Sequence, residues 1–139
     1  MQVWRLLNTG RRTAAENMAL DDIILECRAR GLVSDTVRFL RFDPPAVLVG
    51  YHQDIEHEVR LDFVRQSGMD VNRRLTGGGA ILFDGSSIGW EAIASRQSIG
   101  HDGTMENLFE RMCQCVVKAL ELLGVRAAFR PRNDIEVNG

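Results

Sequence analysis

Two periodicities run along this chain, and the changes between them mark its elements. After Thr13, the apolar positions Leu20, Ile23, Ile24 and Cys27 recur at helical spacing. Thr13-Ala14-Ala15-Glu16 reads as a capping box, in which a Thr hydroxyl and a Glu carboxylate satisfy the first free amides. Gly31 suits the left-handed position that ends such a helix. A longer helix is predicted after Thr104, with Leu108, Met112, Cys115, Ala119 and Leu122 recurring along it and Gly124 ending it. A short helix over residues 61–66 runs out at Ser67-Gly68. Strands are predicted over residues 3–7, 36–42, 71–75, 80–84, 88–95, 125–131 and 135–137. The continuous apolar run over residues 46–51 predicts a buried strand. Asp43-Pro44-Pro45 before it is a turn, since proline fixes φ and cannot donate to a ladder. The strands cluster between two helices, which favours an α+β fold with a mixed, mostly antiparallel sheet and helices packed on it over a doubly wound sheet.

The chain has 139 residues, which fits one domain. Apolar residues make up 45% and charged residues 26%, an ordinary globular balance. Net charge is −2, so no global field draws it to nucleic acid. No apolar run is long enough to span a bilayer, and the N-terminus lacks the apolar core of a signal peptide. The expectation is a cytoplasmic protein with neither a nucleic-acid nor a membrane partner. Three cysteines do not make a disulfide framework. Cys113 and Cys115 are two residues apart on a helix, so they face different sides and read as plain thiols rather than a metal or redox pair. Of the 17 basic residues only Lys118 is a lysine, so lysine chemistry has one candidate here. Asn138-Gly139 after an alternating strand is a hairpin signal whose return strand would follow. The expectation from it is the front part of a longer polypeptide, or one of two complementary chains; a frayed natural end is the alternative.

Candidate chemistry gathers at Arg73-Arg74-Leu75-Thr76-Gly77-Gly78-Gly79-Ala80. A loose hairpin turn would need only one or two glycines, and each costs about 0.5–1 kcal/mol of conformational entropy relative to alanine. Three together point to a close approach to the backbone, and successive amides in such a turn can form an anion nest. The two arginines place positive charge at its mouth, although only one can share the loop's side of the strand. A guanidinium suits carboxylate or phosphate. The spacing fits neither a Walker A loop nor a dinucleotide fingerprint. An anionic ligand at the turn is the sharper reading and a plain turn the blander one. On the sharper reading Gly78→Val abolishes activity by blocking phosphate approach while the fold survives.

Arg-Arg-x-Thr-Gly-Gly-Gly-Ala, followed by an apolar strand and Asp84, resembles the signature of the lipoate–protein ligase A family, within the biotin/lipoate protein ligase superfamily. Trp4-Arg5-Leu6-Leu7 resembles its first strand and residues 15–21 its first helix. Residues 45–53, with Tyr51 and His52, resemble the strand and turn lining its acyl pocket. Residues 133–139, beginning Asn133-Asp134, resemble the segment leading to its catalytic lysine. The resemblance covers nearly the whole chain. It implies a class II aminoacyl-tRNA synthetase/biotin ligase-like fold, incomplete here, with residues 1–139 as a single domain forming the N-terminal part of the catalytic domain. The implied activity joins lipoate to ATP, releasing pyrophosphate, and passes the lipoyl group to a lysine of a lipoyl-carrier protein domain. Binding residues implied are Arg73, Arg74, Thr76, Gly77, Gly78, Gly79, Ala80, Tyr51, His52, Asn133 and Asp134, with Asp134 at Mg²⁺. The family's lysine would lie beyond Gly139, so a complementary C-terminal chain or segment is expected to supply it; Lys118 is a poor substitute.

This chain departs from the family at Phe83, where histidine is frequent, and at Gly85-Ser86-Ser87. Both put acyl preference in question. The alternatives are a cysteine-dependent octanoyl or lipoyl transferase of the same fold and a non-catalytic acyl- or nucleotide-binding module. His57, between Glu56 and Glu58, reads as solvated. His101-Asp102, in the glycine-flanked loop over residues 98–103, is at most part of a lid. Trp90 either packs or lines the acyl pocket.

Overall fold

A computed structural model describes residues 3–100, 103–131 and 133–139; the loop pair His101-Asp102 lies outside the described residues. The chain divides into two compact units, residues 1–94 and 95–139. In the first, β1 (Trp4–Arg12) leads into α1 (Ala14–Ala29) and β2 (Asp35–Phe42). β1 and β2 pair in parallel, so β1-α1-β2 is a crossover unit. β1 runs past the expected end to Arg12 through an irregularity between Asn8 and Arg11, where Gly10 has φ +66°.

The predicted capping box forms around α1. Thr13 Oγ1 accepts from the Glu16 amide at 3.3 Å and Glu16 Oε2 accepts from the Thr13 amide at 3.0 Å. These bonds hold the Glu16 carboxyl below its ordinary pKa. Asp70 Oδ2 accepts from the Ala14 amide at 2.9 Å, so a distant strand also caps this helix. Gly31, at φ +71°, follows its end.

β3 (Ala46–Val49) is the centre of a second sheet. It pairs in parallel with β4 (Asp70–Arg73) and antiparallel with β5 (Ile81–Phe83). Two short helices, α2 (Ile55–Glu58) and α3 (Leu61–Gln66), make the crossover between β3 and β4. The continuous apolar run of β3 is explained by its two buried faces. Leu48 joins Ala14, Leu40, Phe42 and Ala46 in one cluster, and Val49 joins Val59 and Val64 in another. Phe42 and Phe83 pack with ring centroids 4.7 Å apart. β6 (Gly89–Ile93) pairs antiparallel with β2 and completes the order β1-β2-β6.

The second unit is α4 (Met105–Leu122) and a hairpin of β7 (Ala127–Arg130) and β8 (Asp134–Val137). Thr104 caps α4 and Gly124 follows it at φ +77°. Cys113 and Val117 are its buried positions, while Cys115 is exposed, as their spacing requires. Asn138 and Gly139 both have positive φ, 64° and 82°, the combination a type I′ turn uses. Helices with small mixed sheets make this an α+β fold, and three of the five strand pairings among the described residues are antiparallel.

Candidate functional site

The glycine turn connects β4 to β5, and its position follows from what its neighbours lack. The Arg74 amide donates to the Val49 carbonyl at 3.0 Å, and the Tyr51 amide to the Thr76 carbonyl at 2.9 Å. The turn therefore wraps the end of β3 at Gly50. A Cβ at Gly50 would stand 2.1 Å from the Gly78 oxygen, a distance no side chain tolerates. The close approach expected at the glycines is thus made by the chain itself. Sequence reasoning missed Gly50 as the residue that permits it.

Both arginines make bonds within the chain that the sequence did not announce. The Arg74 guanidinium folds into the turn and donates to the carbonyls of Leu48 (3.0 Å), Gly77 (2.7 Å) and Gly79 (2.7 Å). Arg73 donates from Nη1 to the carbonyls of Gly50 (2.9 Å), Tyr51 (3.0 Å) and Gln53 (2.6 Å). Each arginine holds one turn together: Arg74 does so with both terminal nitrogens, Arg73 with Nη1 alone, so that Nε and Nη2 of the exposed Arg73 have no acceptor among the described residues. The reason is that a turn rich in glycine aims unpaired carbonyls inward, and a guanidinium satisfies several at once. Partial burial pulls the Arg74 pKa down without discharging it.

The expected effect of Gly78→Val needs a matching correction. Gly78 has φ +95°, and a Cβ there would meet Arg74 Nη2 at 3.0 Å. Valine would strain the turn and displace its own clamp, so the fold of the turn would not survive unchanged. Gly77 and Gly79 differ: neither has positive φ and no atom lies within 4 Å of where a Cβ would be. The Gly77, Gly78 and Gly79 amides have no acceptor among the described residues. They form an exposed row of donors beside a half-buried cation, which retains the character of an anion or oxyanion nest.

Beside this turn lies a cavity of about 490 Å³, wholly within the first unit. Its wall is mainly apolar: Leu40, Phe42, Leu48, Ile81 and Phe83 all border it. Phe83, a departure noted above, is one of these lining groups. Arg74, Leu75 and Thr76 border it from the turn. Trp90 also borders it, while pairing in register with Phe39 on the more exposed face of the sheet. Ala80 follows the turn and is exposed.

The remaining feature of the wall is polar, and no motif announced it. Arg38, wholly buried on β2, donates to Asp21 on α1, to Glu91 on β6 at 2.9 Å and to the side chain of Asn17. Its Nε donates to Thr9 Oγ1 at 3.0 Å. Asp21 and Glu91 both border the cavity. Burial and the neighbouring Glu91 push Asp21 up to about 7, against the pull of Arg38.

Tyr51, His52 and His57 do not border this cavity. Tyr51 and His52 are exposed on the turn after β3, stacked edge to face at 4.9 Å. His57 is exposed and 3.1 Å from Asp54, a solvated pair. Asn133 and Asp134 belong to the second unit and are exposed. Among the described residues no group of three or more His, Cys, Asp or Glu could hold a metal. Lys118 is exposed on α4. Burial, helped by Asp134, raises the Cys113 thiol, which argues against a thiolate nucleophile there. No described helix is long and apolar enough to cross a membrane.

Comparison with known proteins gives the family and the fold. The family description "Lipoyl protein ligase A/B catalytic domain" matches residues 13–139. Octanoyltransferase LipM of Kyrpidia tusciae is 35% identical over 129 residues, 93% of this chain and 47% of the relative. The bi-partite lipoate protein ligase of Thermoplasma acidophilum superposes with a TM-score of 0.81 at 28% identity, covering 99% of this chain and 52% of that one. A lipoate-protein ligase A bound with ATP superposes at 0.76 with 30% identity, covering 96% of this chain and 52% of that one. The chain spans about half the length of the curated relatives it matches. A turn of three glycines held by its own arginine, set beside an apolar cavity, is therefore found in a member of the lipoyl protein ligase A/B catalytic domain family, to which this chain belongs.

Proposed function

We propose that this chain is the acyl-binding part of an octanoyltransferase, which moves a medium-chain acyl group to a lysine of a lipoyl-carrier protein domain. The observation that carries this reading is the apolar cavity ending on the Arg74-Leu75-Thr76 segment of the glycine turn. An octanoyl tail in that cavity gains about 0.8 kcal/mol for each methylene removed from water. The acyl carbonyl then meets the free amides of Gly77, Gly78 and Gly79, fixed donors for the oxyanion that develops when a nucleophile adds. An octanoyltransferase relative at 35% identity supports the choice of acyl transfer.

The three cysteines of this chain do not suit the nucleophile. Cys113 has a raised thiol and lies near the Asn133 carbonyl, Cys115 donates to the Arg111 carbonyl, and Cys27 sits on α1 away from the cavity wall. A thioester mechanism therefore draws its thiolate from polypeptide outside residues 1–139.

ATP-dependent ligation of lipoate is the second reading. It is favoured by the partnerless amides, which also suit a phosphate, and by the ATP-bound ligase that this chain resembles. In that case Asn133 and Asp134 are the residues to serve the nucleotide and its Mg²⁺, the ion being held mainly by phosphate oxygens. The missing lysine would come from a complementary segment.

The two are separated with the chain and the polypeptide that completes it. Octanoyl-carrier protein and a lipoyl domain, without ATP, yield octanoylated lysine by mass spectrometry if the transfer reading holds. Pyrophosphate release with ATP and lipoate, and no transfer from the carrier thioester, overturns it in favour of ligation.

A further inference from the structure

Asp21 and Glu91 approach one guanidinium from opposite elements, α1 and β6, and both meet the same nitrogen, Nη1 of Arg38. Two carboxyls on one nitrogen are close neighbours, and Glu91 makes ionisation of Asp21 more costly. Among the described residues no second cation is paired with either carboxyl. Asn17 and Thr9 are neutral, and Arg74, which borders the same cavity, is committed to three carbonyls of the turn. The side chains of Asp21 and Glu91 are 14% and 22% exposed, and what exposure they keep is shared with a cavity both border.

We propose that Asp21 and Glu91 form a single-proton carboxyl pair in the cavity wall, which makes binding of an uncharged apolar tail proton-linked. The inference rests on the reading of the cavity as an acyl site. With one proton the group Asp21, Glu91 and Arg38 is neutral; without it the group carries one net negative charge. A tail entering the cavity displaces the water that solvates this wall. Loss of that water costs little for the neutral group and much for the charged one. The occupied cavity therefore holds the proton more tightly than the empty one, and the ligand binds best when the pair is singly protonated. Two carboxyls that cannot both ionise at low cost follow the usual behaviour of close like charges. The raised Asp21 places the transition near neutrality.

The test is calorimetric titration of the whole chain with octanamide, whose own charge does not change across the range. Between pH 6 and 9 the affinity falls, by up to about tenfold for each unit above the transition. At pH 8 binding takes up nearly one proton, read from the dependence of the binding enthalpy on the buffer. Glu91→Gln and Asp21→Asn each leave one carboxylate against Arg38, and in both the pH dependence flattens. Tight binding that ignores pH and takes up no proton in the wild-type chain overturns the pairing and leaves the acyl site standing. A pH dependence that persists in both variants overturns the assignment to these residues. Failure of octanamide to bind at any pH overturns the acyl site and the pairing together.

Discussion

A single atom separates the glycines of this protein into two classes. Gly50 and Gly78 serve the fold, since a Cβ at Gly50 would strike the Gly78 carbonyl and Gly78 has a left-handed backbone. Gly77 and Gly79 have ordinary φ and open space on the side a Cβ would occupy. Gly50→Ala should therefore destabilise the first unit by about 1–3 kcal/mol, as overpacking does. A fall in the denaturant midpoint at constant slope is the measurement. Gly77→Ala should leave that midpoint within about 0.5 kcal/mol, the usual range for exposed sites. It should weaken capture of an acyl or phosphate group, because the methyl crowds the amides that would face it. Equal loss of stability in the two variants would remove the distinction. Asp84 marks another local device: Ser86 and Ser87 donate to its carboxylate and hold it down to about 2. A depressed carboxyl stabilises the fold above its unfolded value and loses that contribution as pH falls. A carboxyl NMR titration should therefore find Asp84 still ionised at pH 3, with the turn loosening only below that.

At the scale of elements, the helices were legible because their signals are local. The capping box of α1 spans four residues and formed as its spacing predicts. Thr13→Ala removes one acceptor and one half of the box. It should cost about 1 kcal/mol in the midpoint of unfolding. A shift near zero would mean that Asp70, which accepts from the Ala14 amide, carries the cap alone. The buried strand β3 was equally plain, since a strand with two covered faces has no alternation to misread. β2 was harder. Thr36, Arg38, Leu40 and Phe42 turn inward while Val37, Phe39 and Arg41 turn to the less buried face. Each face mixes polar and apolar residues, so the alternation fixed the strand but not its inner side. α2 escaped prediction because its four residues bury none of their number. The parallel pairing of β1 with β2 was also hidden, because pairing direction depends on how the chain returns, not on the strand's own composition.

Across the whole chain the least legible feature was the one with the greatest electrostatic reach. The glycine turn advertised itself in eight consecutive residues, whereas Arg38 meets carboxylates 17 and 53 positions away in sequence. Nothing local distinguishes Arg38 from the exposed Arg41 three residues later. Sequence reasoning placed charge at Arg73 and Arg74, which also brace turns, and had no signal for Arg38. The polar trio has a consequence for stability as well as for binding. Asp21 is raised in the folded state, from an ordinary 3.8 to about 7. Between those values the folded chain holds a proton that the unfolded chain has lost. Stability from this group therefore falls as pH rises through the window, the reverse of the behaviour of Asp84 and Glu16. Both of those carboxyls are held below their ordinary values, so they leave the upper window to the pair. Glu91→Gln removes the neighbour that opposes ionisation of Asp21 and leaves its bond to Arg38, so Asp21 should return toward the ordinary range. The variant should lose ground to the wild-type chain at pH 4.5, where it forfeits a satisfied carboxyl, and recover steadily toward pH 7.5. Urea midpoints of both proteins at those two pH values measure the change. A difference between them that stays constant across the window would show that the two carboxyls titrate independently.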